Sequence, residues 1–460
     1  MPADASLLIV SHEQIGPRMA GPGIRYYQMA RVIGAHLPVT LAAPQGSQPV
    51  AGVTMAFYED GHWPSLRPLV AQATTVLLPS DLARLFPELA KSDAVIIIDG
   101  YNPLLAEWLA TYAAAAATDL RERWADRMRA ALPALIMGDL YLCASERQRD
   151  WWLGQLEAAG RLNLATYRDD PAFNRLVQLA GYGLEVKAPN PAPLIRNVWP
   201  GIGPDDKLLV WGGGLWPWLD PFSAIRAVPL LQEQWPTLRL IFPGTRHPNP
   251  ALDGMPTHRE AAIALAGELG LLEQSVFFGD WVPYDRWQDL LRECDVAVSL
   301  HIDTLETRLA YRSRTLESIA AGIPTVATRG DAMSALLEER RVGIAVDVAG
   351  PESVAQGIRR LLAEPPSART EHFRLAREAL QWERLLAPLI EFVLAPRRAP
   401  DRPSGYAAGH PVMAELETEV ADLRSRLGAA QRQVTAYEQG RFIRLMRSLD
   451  RWRRSLPGGQ

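Results

Sequence analysis

Twice in this chain a short apolar run gives way to a glycine-rich loop and then to residues at helical spacing. That repetition constrains the fold more than any other feature. The first copy is Ser6–Ser11 (SLLIVS), a loop from His12 to Arg25, and a helical pattern through Tyr26, Met29, Ala30 and Ile33. The second is Lys207–Trp211, the loop Gly212-Gly213-Gly214-Leu-Trp216-Pro-Trp218-Leu-Asp220-Pro221, and a helical pattern through Ile225 and Leu230. Glycines between a strand and a helix let backbone approach a ligand closely. The spacing is not that of the dinucleotide fingerprint. Between the copies, Ala188–Pro204 is rich in proline, a linker composition. The expectation is an α/β protein with two Rossmann-like domains, 1–190 and 205–395, facing each other across a cleft.

Further apolar runs read as strands at Val39–Ala43, Thr75–Leu78, Ala94–Ile98, Leu238–Phe242 and Val276–Phe278, with a strand opening at Tyr141. Asp99 follows the AVIII run, at the strand end where open α/β sheets bind ligands, so it faces the cleft or caps the next segment. Ala106–Ala131 reads as one alanine-rich helix. Ser145 is placed to cap a helix, and Trp151 and Trp152 read as core. With 460 residues the chain is long enough for two or three domains. A net charge of −4 gives no global case for nucleic-acid binding. The two cysteines, Cys143 and Cys294, lack metal-ligand spacing and read as reduced core residues of a cytosolic protein. Neither a signal peptide nor a bilayer-spanning apolar run is visible.

The stretch His301–Asp331 carries the densest chemistry. A strand, Val296–Leu300, leads into a loop with Glu306, Arg308, Arg312 and Arg314 close together. Ser313 is expected to cap a helix through Leu316, Ile319 and Ala320, which Gly322 and Pro324 end. The first turn of such a helix offers unpaired N–H groups and a positive dipole end to a phosphate, and arginines beside it would neutralise a diphosphate. Glu317 is placed to accept hydrogen bonds from sugar hydroxyls. An ordinary strand–helix unit with solvated charges remains the competing reading.

Glu317-Ser-Ile-Ala-Ala-Gly322-Ile-Pro324-Thr-Val-Ala resembles the second half of the signature of GT-B-fold, nucleotide-sugar-dependent glycosyltransferases, specifically the retaining family 4 type. The first half departs: the position eight before Glu317 is Leu309, and the nearest carboxylate is Glu306. The pattern His301, Glu306, Thr307, Arg308, Arg312, Arg314 is similar to a bacterial subgroup of surface-polysaccharide type. The resemblance implies a donor site built from Gly213, Gly214, Arg246, Trp281, Leu316 and Glu317, with Trp281 or Tyr284 either stacking on the base or packing the loop. It implies chemistry at Glu306, Arg308 and Arg314, and an acceptor side formed by Gly16, Arg18, Gly21, Gly23, Arg25 and Asp99. It implies no cofactor and no bound metal, with a nucleotide-diphosphate sugar as donor substrate. Relatives carry an arginine and a lysine after the second glycine loop, where this chain has Trp216, Trp218 and Asp220.

Trp382, Leu385, Leu386 and Ile390 mark a helix expected to cross back onto the first domain, as in GT-B folds. Residues 396–412 read as a flexible linker. Met413, Leu416, Val420, Leu423, Leu427, Ala430, Val434 and Tyr437 form a heptad seam, so 413–439 reads as a coiled coil able to join copies of the chain. In 440–460, Phe442, Leu445, Leu449, Trp452 and Leu456 share one helical face ringed by Arg441, Arg444, Arg447, Arg451, Arg453 and Arg454. Such a basic amphipathic tail suits an anionic membrane surface, with a partner groove or nucleic acid as competing uses. The combined expectation is a cytoplasmic glycosyltransferase, peripheral on the inner face of the plasma membrane, acting on a glycan or lipid-linked glycan and not on nucleic acid. The alternatives are a non-catalytic GT-B-like scaffold subunit and a GT-B-fold epimerase or phosphorylase.

Overall fold

The computed structural model describes residues 5–113, 117–249, 252, 254–348, 350–402 and 411–439, and 445, 446, 448, 449, 451 and 452 beyond them. The first half holds a parallel sheet of β1 (Leu7–Val10), β2 (Val39–Pro44), β3 (Thr54–Tyr58), β4 (Thr75–Pro79), β5 (Val95–Asp99), β6 (Leu140–Cys143) and β7 (Val177–Leu179), in the order β3-β2-β1-β4-β5-β6-β7. The second half holds β8 (Lys207–Trp211), β9 (Leu238–Phe242), β10 (Val276–Phe278), β11 (Val296–Ser299), β12 (Thr325–Thr328) and β13 (Gly343–Val346), ordered β10-β9-β8-β11-β12-β13 and again parallel. The central strands are buried along their whole length, as parallel strands covered by helices on both faces must be.

The two orders are the same doubly wound pattern. In each, the chain leaves the first strand to one side and returns on its other side, so β1 next to β4 and β8 next to β11 are switch points. Loops at such points diverge and leave a crevice beyond the carboxyl ends of the strands. Both glycine loops, following β1 and β8, open there. The repeated strand–loop–helix pattern therefore places the site as well as the fold.

Met1–Arg402 forms one compact unit. Its largest core cluster runs through both halves, from Ile9, Met29 and Leu41 to Leu316, Leu337, Trp382 and Val393. The helices Trp382–Leu385 and Ala387–Leu394 come after the second sheet yet lie on the first half. There Leu184 N–H donates to the Leu380 carbonyl at 2.8 Å, and Tyr182 meets Trp382 at 4.7 Å between ring centres.

Three expectations change. Ala106–Ala131 is not one helix but two, Leu104–Tyr112 and Ala117–Met137. Strands β3, β7 and β13 were not anticipated. They are edge strands, β3 is largely solvated and β13 opens on a glycine, so none shows a long apolar run. The beginning of the 396–412 segment is held in place. Arg397 pairs with Asp169, and Asp401 takes both Arg161 Nε (2.9 Å) and Nη2 (3.1 Å). Asp139 accepts from Ala399 N–H (3.0 Å) and Arg402 (2.8 Å).

Pro403–Gln460 is a second unit, containing the helix Pro411–Gln439. The side chains of Met413 and Leu416, and residues Arg441, Phe442, Arg444, Arg447, Arg453, Arg454 and Leu456 of the tail, lie outside the described residues. Among the described residues no helix is long and apolar enough to cross a membrane.

Candidate functional site

Between the two halves lies a cavity of about 580 Å³. Its walls are the residues just beyond the strand ends. His12, Glu13 and Gly21 follow β1, Asp81 follows β4, and Asn102 and Glu107 follow β5. From the other half come Gly212, Gly213 and Gly214 after β8, His247 and Asn249 after β9, Trp281 and Tyr284 after β10, and Ser313, Arg314 and Glu317 beyond β11. The halves touch beside the cavity: Asn249 Nδ2 donates to Glu13 Oε2 at 3.1 Å, and Tyr284 N–H to the Pro17 carbonyl at 2.9 Å.

The helix Ser313–Ala321 begins at this cavity. Ser313 is its first residue rather than its cap; Arg312 holds the capping position, and no side chain among the described residues caps the helix. Thr315 N–H turns back to the Arg312 carbonyl at 3.0 Å, and the remaining first-turn N–H groups and the positive end of the dipole face the site without a side-chain cap. Gly322 ends the helix with φ of 84°, the left-handed conformation that glycine adopts without strain.

Arg314 supplies the positive charge. Its guanidinium lies over Gly213, where a β-carbon would come within 3.5 Å of Nη2. Gly213 has φ of 83°, so the loop needs glycine for its conformation as well as for this approach. Among the described residues Nη1 of Arg314 is buried without a hydrogen-bond partner. Burial, and then the nearby Arg312 charge, pull the Arg314 pKa down to about 10, which still leaves it a cation at neutral pH. A buried, unpaired guanidinium nitrogen beside an open helix end is an arrangement that an anion would complete.

Glu317 lies one turn into the helix, nearly buried, with Oε2 accepting from Gln288 Nε2 at 3.1 Å. Burial raises its pKa, against the opposing effect of the Gln288 hydrogen bond. Across the cavity, His12 Nδ1 sits 3.0 Å from Asp81 Oδ1. Burial alone would lower the His12 pKa, but the charge and hydrogen bond of Asp81 prevail and raise it to about 9. Glu107 is raised to about 8 by burial and then by the Glu306 charge.

The sequence-derived candidates separate into distinct groups. Gly21, Gly213, Gly214, Trp281, Arg314 and Glu317 line the cavity together. Glu306 does not: both its oxygens are taken by Arg312, at 2.8 and 2.7 Å, and it is 1% exposed. Arg25 and Asp99, expected at the acceptor side, form a second buried pair, with Nε–Oδ2 at 2.7 Å and Nη2–Oδ1 at 3.0 Å. Arg25 spends its remaining donors on the Ala180 and Gly181 carbonyls. Leu316 is in the core, Gly16 is buried against Gln48 after β2, Gly23 is buried against Gln14, Ile15 and Met19 of its own loop, and Arg18, Arg246 and Arg308 are exposed outside the cavity wall. Leu309, at the position of the signature's first glutamate, is buried.

Sequence reading missed the aromatic wall. Trp216 stacks on Trp218 at 5.6 Å, Trp216 meets His247 at 5.8 Å, and His247 meets Trp281 edge-on at 5.6 Å. The glycine loop flagged the first two, but nothing in the spacing shows that the loop after β9 delivers His247 between them and Trp281. Among the described residues no three His, Cys, Asp or Glu side chains gather as a metal site.

Residues 206–364 match the group 1 glycosyl transferases. The matched segment spans β8 to β13 and holds Gly213, Gly214, Trp281, Arg314 and Glu317. No curated protein matches the chain. The fold is that of the GT-B glycosyltransferases. Sucrose-phosphate synthase of Thermosynechococcus elongatus superposes with a TM-score of 0.60 at 15% identity, covering 85% of this chain and 100% of that one. WaaG, a glycosyltransferase involved in lipopolysaccharide biosynthesis, gives 0.58 at 14% identity over the same shares. HepE of Anabaena, in complex with UDP and glucose, gives 0.57 at 13%, also over 85% and 100%. At these identities the superpositions speak for the fold.

Proposed function

We propose that this chain is a glycosyltransferase that moves a sugar from a nucleoside-diphosphate sugar to a hydroxyl of a glycan or lipid-linked glycan in surface-polysaccharide synthesis. The observation that carries the reading is the Arg314 guanidinium, laid over Gly213 beside the start of the helix Ser313–Ala321, with its Nη1 buried and without a hydrogen-bond partner among the described residues. Helix N–H groups and Arg314 would hold the diphosphate and stabilise it as it departs. Glu317 would accept from the ribose hydroxyls and Trp281 would stack on the base. The sugar would then lie toward His12 and Glu107 of the facing half, where the acceptor enters. HepE, which binds UDP and glucose, and WaaG, which acts in lipopolysaccharide biosynthesis, support the donor class and the biological setting by analogy of fold. Retention of configuration and chemistry without a bound metal or cofactor follow the family 4 resemblance. The reading extends to a cytoplasmic enzyme whose basic tail rests on the inner face of the plasma membrane.

Calorimetric titration with a panel of nucleotide sugars tests it. One donor is expected to bind the wild type in the micromolar range. Glu317→Ala should lose about 1–3 kcal/mol of that affinity, the cost of hydrogen bonds to a charged acceptor. If folded protein binds no nucleotide sugar, the scaffold-subunit reading replaces this one.

A further inference from the structure

The helix Pro411–Gln439 carries an apolar seam whose described side chains from Val420 to Tyr437 are exposed. Val420, Leu423, Leu427, Val434 and Tyr437 are 43–69% exposed. With Ala430 between Leu427 and Val434 they recur at alternating three- and four-residue steps, the a and d positions of a heptad. A mostly polar helix of this kind is held by packing its apolar stripe, not by propensity alone. We propose that a second copy of this chain covers the seam, as a parallel, in-register, two-stranded coiled coil.

Two features select that partner. The first is shape. Val420, Leu427 and Val434 fall at a and Leu423, Ala430 and Tyr437 at d; β-branched residues at two of these three a positions, with leucine at d beside the first, favour two strands. The second is charge. With Val420 at a, Glu419 occupies g and Arg424 the e position five residues on. In a parallel pair g of one helix faces that e of the other, so Glu419 meets Arg424 twice, once on each side of the two-fold axis. An antiparallel pair burying the same seam has its axis near residue 425. There Arg424 and Arg426 of one helix would meet the same arginines of the other, a like-charge contact. Asp422 lies at c, away from the partner, and pairs with Arg426 within its own helix at 3.7 Å. Parallel pairing has a consequence for the tail. Both copies of 440–460 follow the coil at the same end, so two arginine-rich segments act at one place, with the gain that linked weak contacts bring.

The full-length chain tests this directly. Sedimentation equilibrium should show a dimer. Ala430→Cys should form a disulfide-linked dimer under mild oxidation, and the natural Cys143 and Cys294 are buried and do not compete. In an antiparallel pair Ala430 would face Val420, about 15 Å along the helix from its own counterpart. Glu419→Arg and Arg424→Glu should each weaken the dimer about tenfold, and the double exchange should restore it. Both positions are exposed and lie outside the first unit, so donor binding should stay as in the wild type. A monomer at all concentrations overturns the proposal. So does a dimer in which Ala430→Cys alone fails to cross-link while a mixture with Val420→Cys succeeds. Neither outcome bears on donor binding by the first unit.

Discussion

Glu306 and Arg312 are 1% and 7% exposed and are joined by two short hydrogen bonds. Asp331 lies 3.5 Å from Arg312 Nε and 3.4 Å from His301, which extends the pair into a buried network under the loop. Removing one member strands the others, so Glu306→Ala should cost about 3–5 kcal/mol of stability in denaturant unfolding. A residue kept for chemistry alone would leave stability unchanged on substitution, so this measurement separates the two roles. Glu107 offers a second test. Its pKa rises from 4.5 to about 8 on folding, so the folded chain keeps a proton that the unfolded chain has lost across that window. Stability contributed by this group therefore falls as pH rises from 4.5 to about 8 and levels off above. His12, raised from 6.5 to about 9, acts in the same direction across its own higher window, where the charged pair with Asp81 is lost. Glu107→Gln should flatten the lower part of the pH–stability curve and leave the His12 part in place. An unchanged slope between pH 5 and 7.5 would refute the Glu107 assignment. At this scale the sequence pointed to the charged residues of the 301–331 loop but not to their partners. Glu306 and Arg314 look equivalent in the chain. One is buried against Arg312, six residues away, and the other is turned toward Gly213, a hundred residues earlier.

Elements were far more legible than pairings. Central strands such as β1, β5 and β11 are apolar because both faces are covered, so composition alone reveals them. Outer strands such as β3 keep a solvated face and pass for loop. The opening of the 396–412 segment misled for a related reason. Proline and arginine density reads as flexible linker, whereas Asp401 and Arg402 each find a buried partner more than two hundred residues away. Arg161, 1% exposed, also donates to the Ile136 and Gly138 carbonyls and to Tyr141 Oη, so part of its charge stays satisfied without Asp401. Asp401→Ala should therefore cost about 3 kcal/mol, at the low end for a broken buried pair, and loosen 397–402. Hydrogen exchange would report both, through faster exchange at Ala399 N–H, which donates to Asp139. Exchange as slow as in the wild type would show that Arg397 and Arg402 suffice to hold the strap.

At the scale of the whole chain, the proposed reading places catalysis and attachment in different units. All the cavity residues and the core cluster shared by the two halves belong to Met1–Arg402. The helices Trp382–Leu385 and Ala387–Leu394 and the strap to Arg402 pack on that unit and are held by its own residues. Deleting Met413–Gln460 should therefore leave the thermal unfolding of this unit and its affinity for the nucleotide sugar within error of the full chain. The same deletion should remove two things together. Self-association should go with the seam of Pro411–Gln439, and binding to vesicles containing anionic lipid should go with the arginines of 440–460. Anionic surfaces hold juxtaposed basic residues at about 1 kcal/mol each, an attraction that added salt weakens. Vesicle binding by the intact chain should thus fall steeply as salt is raised. If vesicles still bind the shortened protein, the membrane contact belongs to the first unit and the tail serves another partner. If donor binding falls with the deletion, the second unit contributes to the site.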